Sequence, residues 1–390
     1  MRTIIAIMLA GALTYAHALC SQPAVPLNVD EPSPIIAANA IEVAMKNAVY
    51  VVIVFALSLA GLAHTVVSVQ RSAGTPDVTL KAVTAAKTFL ATLDSRQHAT
   101  VVVPLSKDTR SRWSNLPNGA VGIGFQRNGL KLGDLTPAQQ KAALELVGAS
   151  LSPIGYQKVM NIVNADEEFA RSRPRDSNPA RFGRNEYFIA ILGTPSPTQP
   201  WMIQFGGHHL AINLTVVGKE NVLTPSHTGT QPASYSLNGQ TIRPLGKEND
   251  KAFALINALD ESRRKEAMLN YQVPDGVFGP GHDGEIIQPE GVPASKFTPN
   301  QQAMLLDLIN EWVSILNDAA ASAKMAEIKS HLADTYFAWS GQTTNGSAAY
   351  FRIQGPTVEV EYAPIGGSAD HIHTFYRDPT NDYAAKFIKP

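Results

Sequence analysis

The stretch that decides the fold is VEVEY at residues 358–362, which is followed by the turn GGS at 366–368 and by HIHTFY at 371–376. Successive side chains of a β-strand point to opposite faces, so the strict alternation of valine and glutamate predicts a strand with one apolar face. A glycine turn between two extended segments predicts a hairpin. The C-terminal region is therefore predicted to contribute antiparallel strands to a sheet.

Helical and extended patterns follow one another in blocks along the rest of the chain. Helical periodicity predicts helices at 78–97, 137–149, 156–169, 250–270 and 298–317. A further helix is predicted to follow and to end at about 332. Extended segments predict strands at 100–105, 186–192, 200–205, 209–217, 335–341, 349–354 and 357–363. The order of helices, strands, helices and strands predicts an α+β fold, in which helices pack on a mainly antiparallel sheet. We expect a single large domain over 77–390.

Composition excludes several classes of site. The chain has 32 Lys and Arg against 33 Asp and Glu, a net charge of −1, so it lacks the basic field of a protein that binds nucleic acid. Cys20 is its one cysteine, so 77–390 has no disulfide, zinc ribbon, iron–sulfur cluster or cysteine nucleophile. A metal there must be bound by histidine, carboxylate, amide or tyrosine, which favours zinc, copper, iron or manganese.

Two N-terminal segments have the pattern of export signals. Residues 1–18 are a possible signal peptide, and 45–69 are a second signal-like or membrane-anchor segment. Three interpretations stay open: Met45 is the true start, the chain is cleaved near Ala18 and anchored through 48–69, or the second segment is a helix of the domain. The first two predict an exported protein that is periplasmic, secreted or anchored in a membrane.

Four of the ten histidines fall in two compact pairs, His208-His209 and His371-Ile372-His373. Imidazole is the commonest metal-ligating side chain and titrates near neutral pH. If 208–217 is one strand, His209 shares a small polar face with Asn213, whereas His208 lies on the apolar face as a buried, supporting residue. His371 and His373 are two positions apart and point the same way on a strand.

The predicted C-terminal hairpin brings a carboxylate beside the second pair. We therefore predict a metal centre of His209, Glu361, His371 and His373, with His208 next to it. Two or three histidines with a carboxylate suit a divalent zinc, iron or copper ion and leave a coordination position open. The alternative is that the imidazoles hydrogen-bond within a sheet and that Glu361 lies on a solvated strand face.

Three residues are candidates for catalysis. Glu361 would be a metal ligand or a general base, and Arg377 or Asn213 would stabilise developing charge. Arg377 could also clamp an anionic substrate. However, residues 377–383 (RDPTNDY) contain ordinary turn formers, which favours a structural role for this segment.

Several strings together resemble one known family. They are WSNLP at 113–117, GDLT at 133–136, PWMIQFGGHHL at 200–210, GPG at 279–281 with Asp283-Gly284, RIQGP at 352–356 and HIHTFYRDPTNDY at 371–383. With these strings the chain resembles the domain of unknown function 3500 family, from about residue 80 to the C-terminus. The resemblance implies an exported bacterial or fungal protein and implies no activity. The strings that carry it also contain all four paired histidines.

These observations predict an exported metal-dependent enzyme with a histidine and carboxylate centre, with hydrolysis the favoured reaction. A copper- or iron-dependent oxidoreductase is the first alternative. A non-enzymatic envelope protein that binds a metal or another ligand is the second, and a structural module without metal is the third. The substrate, a small molecule or a polymer, stays open, and no nucleic-acid partner is expected.

Overall fold

The structure is a computed structural model, and it describes residues 78–120, 125–173 and 180–388. Residues Thr75–Pro390 form one compact unit. The predicted export segments at 1–18 and 45–69 lie outside the described residues. No helix of the described residues is both long enough and apolar enough to cross a membrane.

Short polar side chains cap the helices where the sequence predicts that they start. Thr136 and Thr298 each accept a hydrogen bond from the backbone amide three residues on, and each is followed by a proline, which has no amide proton to leave unpaired. The helices of the described residues are α1 (Val78–Ala91), α2 (Ser95–Val101), α3 (Lys107–Arg110), α4 (Pro137–Ser150), α5 (Pro153–Ser172), α6 (Gly246–Ala258), α7 (Glu261–Ala267), α8 (Pro299–Val313) and α9 (Asp318–Ser330).

The strands are short to medium in length. They are β1 (Val102–Val103), β2 (Leu130–Lys131), β3 (Phe188–Leu192), β4 (Trp201–Gly207), β5 (Leu210–Val217), β6 (Glu220–Val222), β7 (Ser226–Thr230), β8 (Tyr235–Leu237), β9 (Gln240–Ile242), β10 (Val292–Pro293), β11 (Tyr336–Ser340), β12 (Tyr350–Gly355), β13 (Val358–Pro364) and β14 (Ile372–Arg377).

Twelve of these strands form one sheet in the order β1-β3-β4-β5-β7-β14-β13-β12-β11-β10, with β2 beside β3 and β6 beside β5. Strands β8 and β9 form a separate hairpin. Within the described residues β1 and β3 pair in parallel, and the other strand pairs of the sheet are antiparallel. The predicted α+β fold, with helices on a mainly antiparallel sheet, is confirmed.

The two faces of the sheet differ in character. One face carries large apolar side chains such as Trp201, Phe351 and Val360, which pack with the helices into the main hydrophobic core. The other face carries buried polar side chains such as Gln204 and Glu361, which accept hydrogen bonds from Asn128 and Phe278 in the loops that cover them. The alternation in VEVEY therefore separates a helix-covered face from a loop-covered face, and the candidate site lies on the second.

Two helices predicted as continuous are broken by an aspartate. Asp94 and Asp260 each accept a hydrogen bond from the amide three residues on, and so cap a second helix inside the predicted one. The segment 78–97 therefore divides between α1 and α2, and 250–270 divides between α6 and α7. The first turn of a new helix leaves backbone amides without acceptors inside the helix. An aspartate side chain accepts from one of these amides, so a new helix starts there although the helical apolar periodicity continues.

Strand β7 is absent from the sequence prediction. It lies between β5 and β14 and joins the N-terminal strands of the sheet to the C-terminal ones. Its sequence, SHTGT, has no aliphatic side chain and no apolar alternation, so the pattern that predicts a strand is missing. The strand forms because neighbours on both sides supply its backbone hydrogen bonds.

Candidate metal centre

The first histidine pair forms the two-residue turn between β4 and β5. The prediction that His209 lies in a strand is wrong, because β4 ends at Gly207 and β5 begins at Leu210. His209 has a φ of 62°, a left-handed conformation that histidine adopts more readily than most residues. The alternation that paired His209 with Asn213 therefore does not apply, and both imidazoles belong to a hairpin tip.

Three histidines bring ring nitrogens together at this tip. One nitrogen each of His208, His209 and His371 lies within 4.8 Å of the other two. Nε2 of His209 is 2.9 Å from Nε2 of His371. The rings of His208 and His209 stack with 3.5 Å between their centroids. The three residues, named the histidine trio below, could hold a metal ion.

The trio is assembled by neighbouring strands of the sheet. The backbone amide of Gly229 in β7 donates to the carbonyl of His209 at 2.7 Å. Gly229 is also the cross-strand partner of His373 in β14. Strand β7 therefore holds the hairpin tip against the start of β14, where His371 lies.

His208 is oriented by Asp166 from helix α5. Oδ1 of Asp166 is 2.6 Å from His208 Nδ1, and Oδ2 accepts a hydrogen bond of 2.8 Å from the amide of Gly183. Both side chains are buried. Because this carboxylate takes up Nδ1, Nε2 is the nitrogen of His208 that is left to bind a metal ion. Metal-bound histidines usually make this contact through their second nitrogen.

His373 adjoins the trio without joining it. Its ring centroid lies 4.9 Å from that of His371 and 5.2 Å from that of His209. Its Nδ1 lies 3.2 Å from Oδ1 of Asp275 and 3.3 Å from the amide nitrogen of Asn115. Its Nδ1 is therefore directed toward the covering loops. His373 is not part of the group of nitrogens that lie within 4.8 Å of one another.

A fifth histidine, His227 of β7, lies next to His373. Its ring centroid is 5.2 Å from that of His373, and it stacks on Phe375 at 4.8 Å. Its Nδ1 lies 2.9 Å from the carbonyl oxygen of Thr374. The side chain has no exposed surface. The five imidazoles form one continuous cluster on the polar face of the sheet.

The surroundings keep the imidazoles of His208, His209, His227 and His371 neutral. Burial lowers the pKa of His208, and burial together with the neighbouring imidazoles lowers the pKa values of His209 and His227 well below 6.5. Burial, and after it the neighbouring histidines, lowers the pKa of His371 to about 4. The neutral form dominates at pH 7, and it is the form that binds a metal ion.

Glu361 lies on the same face of the sheet but apart from the trio. Its Oε1 accepts a hydrogen bond of 2.6 Å from the hydroxyl of Tyr350, and its Oε2 accepts one of 2.9 Å from the amide of Phe278. The register of β13 and β14 pairs Glu361 with Phe375 rather than with a histidine. The hairpin forms as predicted, but this register directs the carboxylate to the covering loop. Burial raises its pKa.

Arg377 holds the loop that covers the polar face. Its guanidinium donates to the carbonyl oxygens of Phe278 and Gly279 and to the carboxylates of Asp283 and Asp382, at 2.7–2.9 Å. The side chain is buried. Because two carboxylates already balance its charge, the geometry supports a structural clamp rather than a clamp on an anionic substrate.

Asn213 is buried on the polar face and donates from its amide nitrogen to the carbonyl oxygen of Pro225 at 2.9 Å. This hydrogen bond ties β5 to the chain that enters β7. The contact supports a role for Asn213 in holding the strands, not in stabilising charge at the trio.

Three residues that belong to the cluster or contact it are missing from the sequence prediction. Asp166 lies within a helix next to two glutamates, His227 lies in the unpredicted strand β7, and Asp275 lies in a covering loop. A lone histidine or a lone aspartate carries no spacing signal, and the contacts that define their positions span 42 or more residues.

Comparison with known proteins places the chain in a family. The model of the family described as Protein of unknown function (DUF3500) matches residues 76–385, which is most of the chain. The chain therefore belongs to this family, as its strings indicate. Searches of curated proteins and of solved structures gave no significant match.

Proposed function

We propose that this member of the DUF3500 family is an exported metal-dependent enzyme in which His208, His209 and His371 hold a divalent ion. Hydrolysis is the favoured reaction class. The observation that carries the proposal is the trio itself, with one nitrogen from each residue within 4.8 Å of the others.

The donor set fits a zinc-like ion. Two nitrogens that share a tetrahedral zinc at 2.0–2.1 Å lie about 3.3 Å apart. The 2.9 Å between the Nε2 atoms of His209 and His371 is a few tenths of an ångström shorter, so a small opening of the pair admits an ion. Depressed pKa values keep the ligands unprotonated at pH 7, so protons do not compete with the metal.

Partial exposure of one ligand supports catalysis. His208 and His209 are buried, whereas His371 is half-buried and meets solvent at the start of β14. Three protein ligands leave the fourth position of a zinc ion open, and zinc in such a site lowers the pKa of a bound water to about 7. This is the chemistry that ester or amide hydrolysis needs.

Copper and iron are the alternative metals, because imidazole nitrogen suits both. With either metal, the protein would be an oxidoreductase rather than a hydrolase.

We assign the metal site to histidines alone, because the other candidate residues, Glu361, Arg377 and Asn213, all have structural partners.

A non-enzymatic metal-binding protein is the second candidate function. The observation that favours it is the burial of two of the three ligands, since His208 is 6% exposed and His209 is 1% exposed. A closed coordination sphere would retain a metal and exclude a substrate. Metal-dependent turnover separates the two candidates.

Export is proposed from the N-terminal sequence alone, with membrane anchoring through 48–69 as one form of it. Fractionation of cells that express the full chain tests it. We expect the chain in the envelope or the medium, and a chain recovered only from the cytoplasm would contradict the proposal.

Metal analysis of the full chain, purified without a metal-binding tag, tests the site. We expect at least one equivalent of zinc, copper or iron, and at least one equivalent less in the His209→Ala, His371→Ala double variant. His331→Ala is the matched control, because His331 is exposed and outside the cluster. A panel of chromogenic esters then tests hydrolysis, which must require the metal and must be lost in His371→Ala.

A further inference from the structure

Two buried imidazole nitrogens of the cluster lack a hydrogen-bond partner: Nδ1 of His209 and Nε2 of His227. Buried polar atoms in folded proteins almost always have a partner, so each exception indicates a missing group such as an ion or a water. His227 is the more informative of the two, because it lies outside the trio.

The protonation of His227 follows from its partner. The carbonyl oxygen of Thr374 can only accept, so Nδ1 of His227 carries the proton and donates it. Nε2 is left as a fully buried lone pair. A lone pair fixed in this way through the second nitrogen is the arrangement of a metal ligand.

The space beside this lone pair is kept free by Gly229. A Cβ atom at Gly229 would lie 3.1 Å from Nε2 of His227 and 3.1 Å from Cδ2 of His209. The two imidazoles therefore face the same small space. The glycine is needed there, because a Cβ atom would also lie 2.8 Å from the carbonyl oxygen of Ile372 and would crowd both rings.

His373 lies on another side of the same space. Its centroid is 5.2 Å from that of His227. Two imidazoles that share one ion at about 2 Å have ring centroids roughly 5 Å apart. Nδ1 of His373 is taken up by the carboxylate of Asp275 at 3.2 Å and by the side-chain amide nitrogen of Asn115 at 3.3 Å, so Nε2 is the nitrogen with which His373 would bind an ion.

The space beside Nε2 of His227 is not purely apolar. A Cβ atom at Gly229 would lie 2.8 Å from the carbonyl oxygen of Ile372 as well as beside a ring carbon of His209. Two imidazoles supply two of the four ligands that a zinc ion takes, and water or another oxygen donor would complete them.

We propose that the centre binds a second divalent ion of the zinc class, between His227 and His373, next to the ion held by the trio. The inference rests on the proposed function, since it extends the same cluster. Enzymes that use two such ions hold them about 3.5–4 Å apart, which two adjoining groups of imidazoles allow.

The test is metal stoichiometry in the full chain after removal of metal and reconstitution with zinc. His227→Asn is the test variant, because its amide can still donate to Thr374 while Nε2 is removed. His331→Asn is the matched control for loss of an exposed histidine. We expect two equivalents in the parent and in the control, and one in His227→Asn.

The outcomes separate this inference from the proposed function. One equivalent in the parent, unchanged in His227→Asn, overturns the second ion and leaves the trio site standing. Two equivalents in both chains also overturn it, because His227 is then not a ligand. No metal in the parent overturns both proposals.

A second measurement needs no variant and so does not depend on how His227→Asn folds. Copper(II) is added to the metal-free parent, and electron paramagnetic resonance is recorded at one and at two equivalents. A spin-coupled signal that appears with the second equivalent supports the pair. An isolated-ion signal that only doubles in intensity overturns it.

Discussion

Asp166 and His208 are 42 residues apart in sequence, and Oδ1 of the aspartate lies 2.6 Å from Nδ1 of the histidine. Both side chains are buried, one on helix α5 and one at a hairpin tip. The contact fixes which nitrogen of His208 faces the other histidines. It therefore links the helical layer of the fold to the candidate metal centre.

Replacing Asp166 by Asn tests this link. The amide no longer guarantees the proton on Nδ1 of His208, so we expect metal affinity to fall about 10–100-fold, as for other residues that orient ligands. Stability should fall by about 1–3 kcal/mol, because Asp166 also accepts a hydrogen bond from Gly183. Calorimetric metal titration and urea unfolding measure the two effects. Glu168→Gln, at a partly exposed carboxylate of the same helix, should change neither by a comparable amount.

Acid should destabilise the metal-free protein through the imidazoles. The pKa of His371 is lowered to about 4 in the folded chain, against 6.5 as its ordinary value. Between these values the unfolded chain binds more protons, so the free energy of unfolding falls as pH drops from about 6.5 toward 4. One histidine contributes at most about 1.4 kcal/mol per pH unit to this slope, and solvent screening at the half-buried His371 makes its contribution smaller.

Urea unfolding at a series of pH values measures that slope. His371→Asn removes one titrating group, so its slope should be shallower than that of the parent. Identical slopes in the two chains would contradict a lowered pKa at His371.

Arg377 is predicted to stabilise the fold rather than to act on a substrate. In Arg377→Leu the carboxylates of Asp283 and Asp382 lose their common cation, so we expect a loss of about 3–5 kcal/mol. Thermal and urea unfolding measure it. Metal content of the folded fraction should stay at the parent value, and a stable variant that loses metal would contradict the assignment.

Glu361, on the neighbouring strand β13, is also predicted to stabilise the fold rather than to bind the metal. Glu361→Gln keeps one acceptor but turns a donor toward either Tyr350 or the amide of Phe278, so stability should fall by about 1–3 kcal/mol. The number of bound metal ions should not change. Loss of an equivalent of metal in this variant would restore Glu361 as a ligand.

The sheet was predictable where its alternation was strong. Val360 and Glu361 go to opposite faces as the pattern VEVEY requires, and the Thr-Pro pairs at 136 and 298 start helices as expected. Strand β7 was not predictable, because SHTGT acquires its extended form from two neighbouring strands and not from its own side chains.

The histidines were predictable as a cluster but not in their arrangement. His209 lies in the turn, one residue before β5 begins, and this changes which residues its side chain faces. The left-handed φ of His209 has no signal in the sequence. The partners Asp166, Asp275 and His227 reach the cluster through tertiary contacts, so no local spacing could indicate them.

The measurement that most directly tests the metal centre is an anomalous difference map from crystals of the full chain grown with zinc, recorded on both sides of the zinc absorption edge. We expect a peak about 2 Å from Nε2 of His209 and of His371, with His208 as the third ligand. A map from zinc-loaded crystals with no peak among these three residues, or with peaks only at other residues, would contradict this assignment.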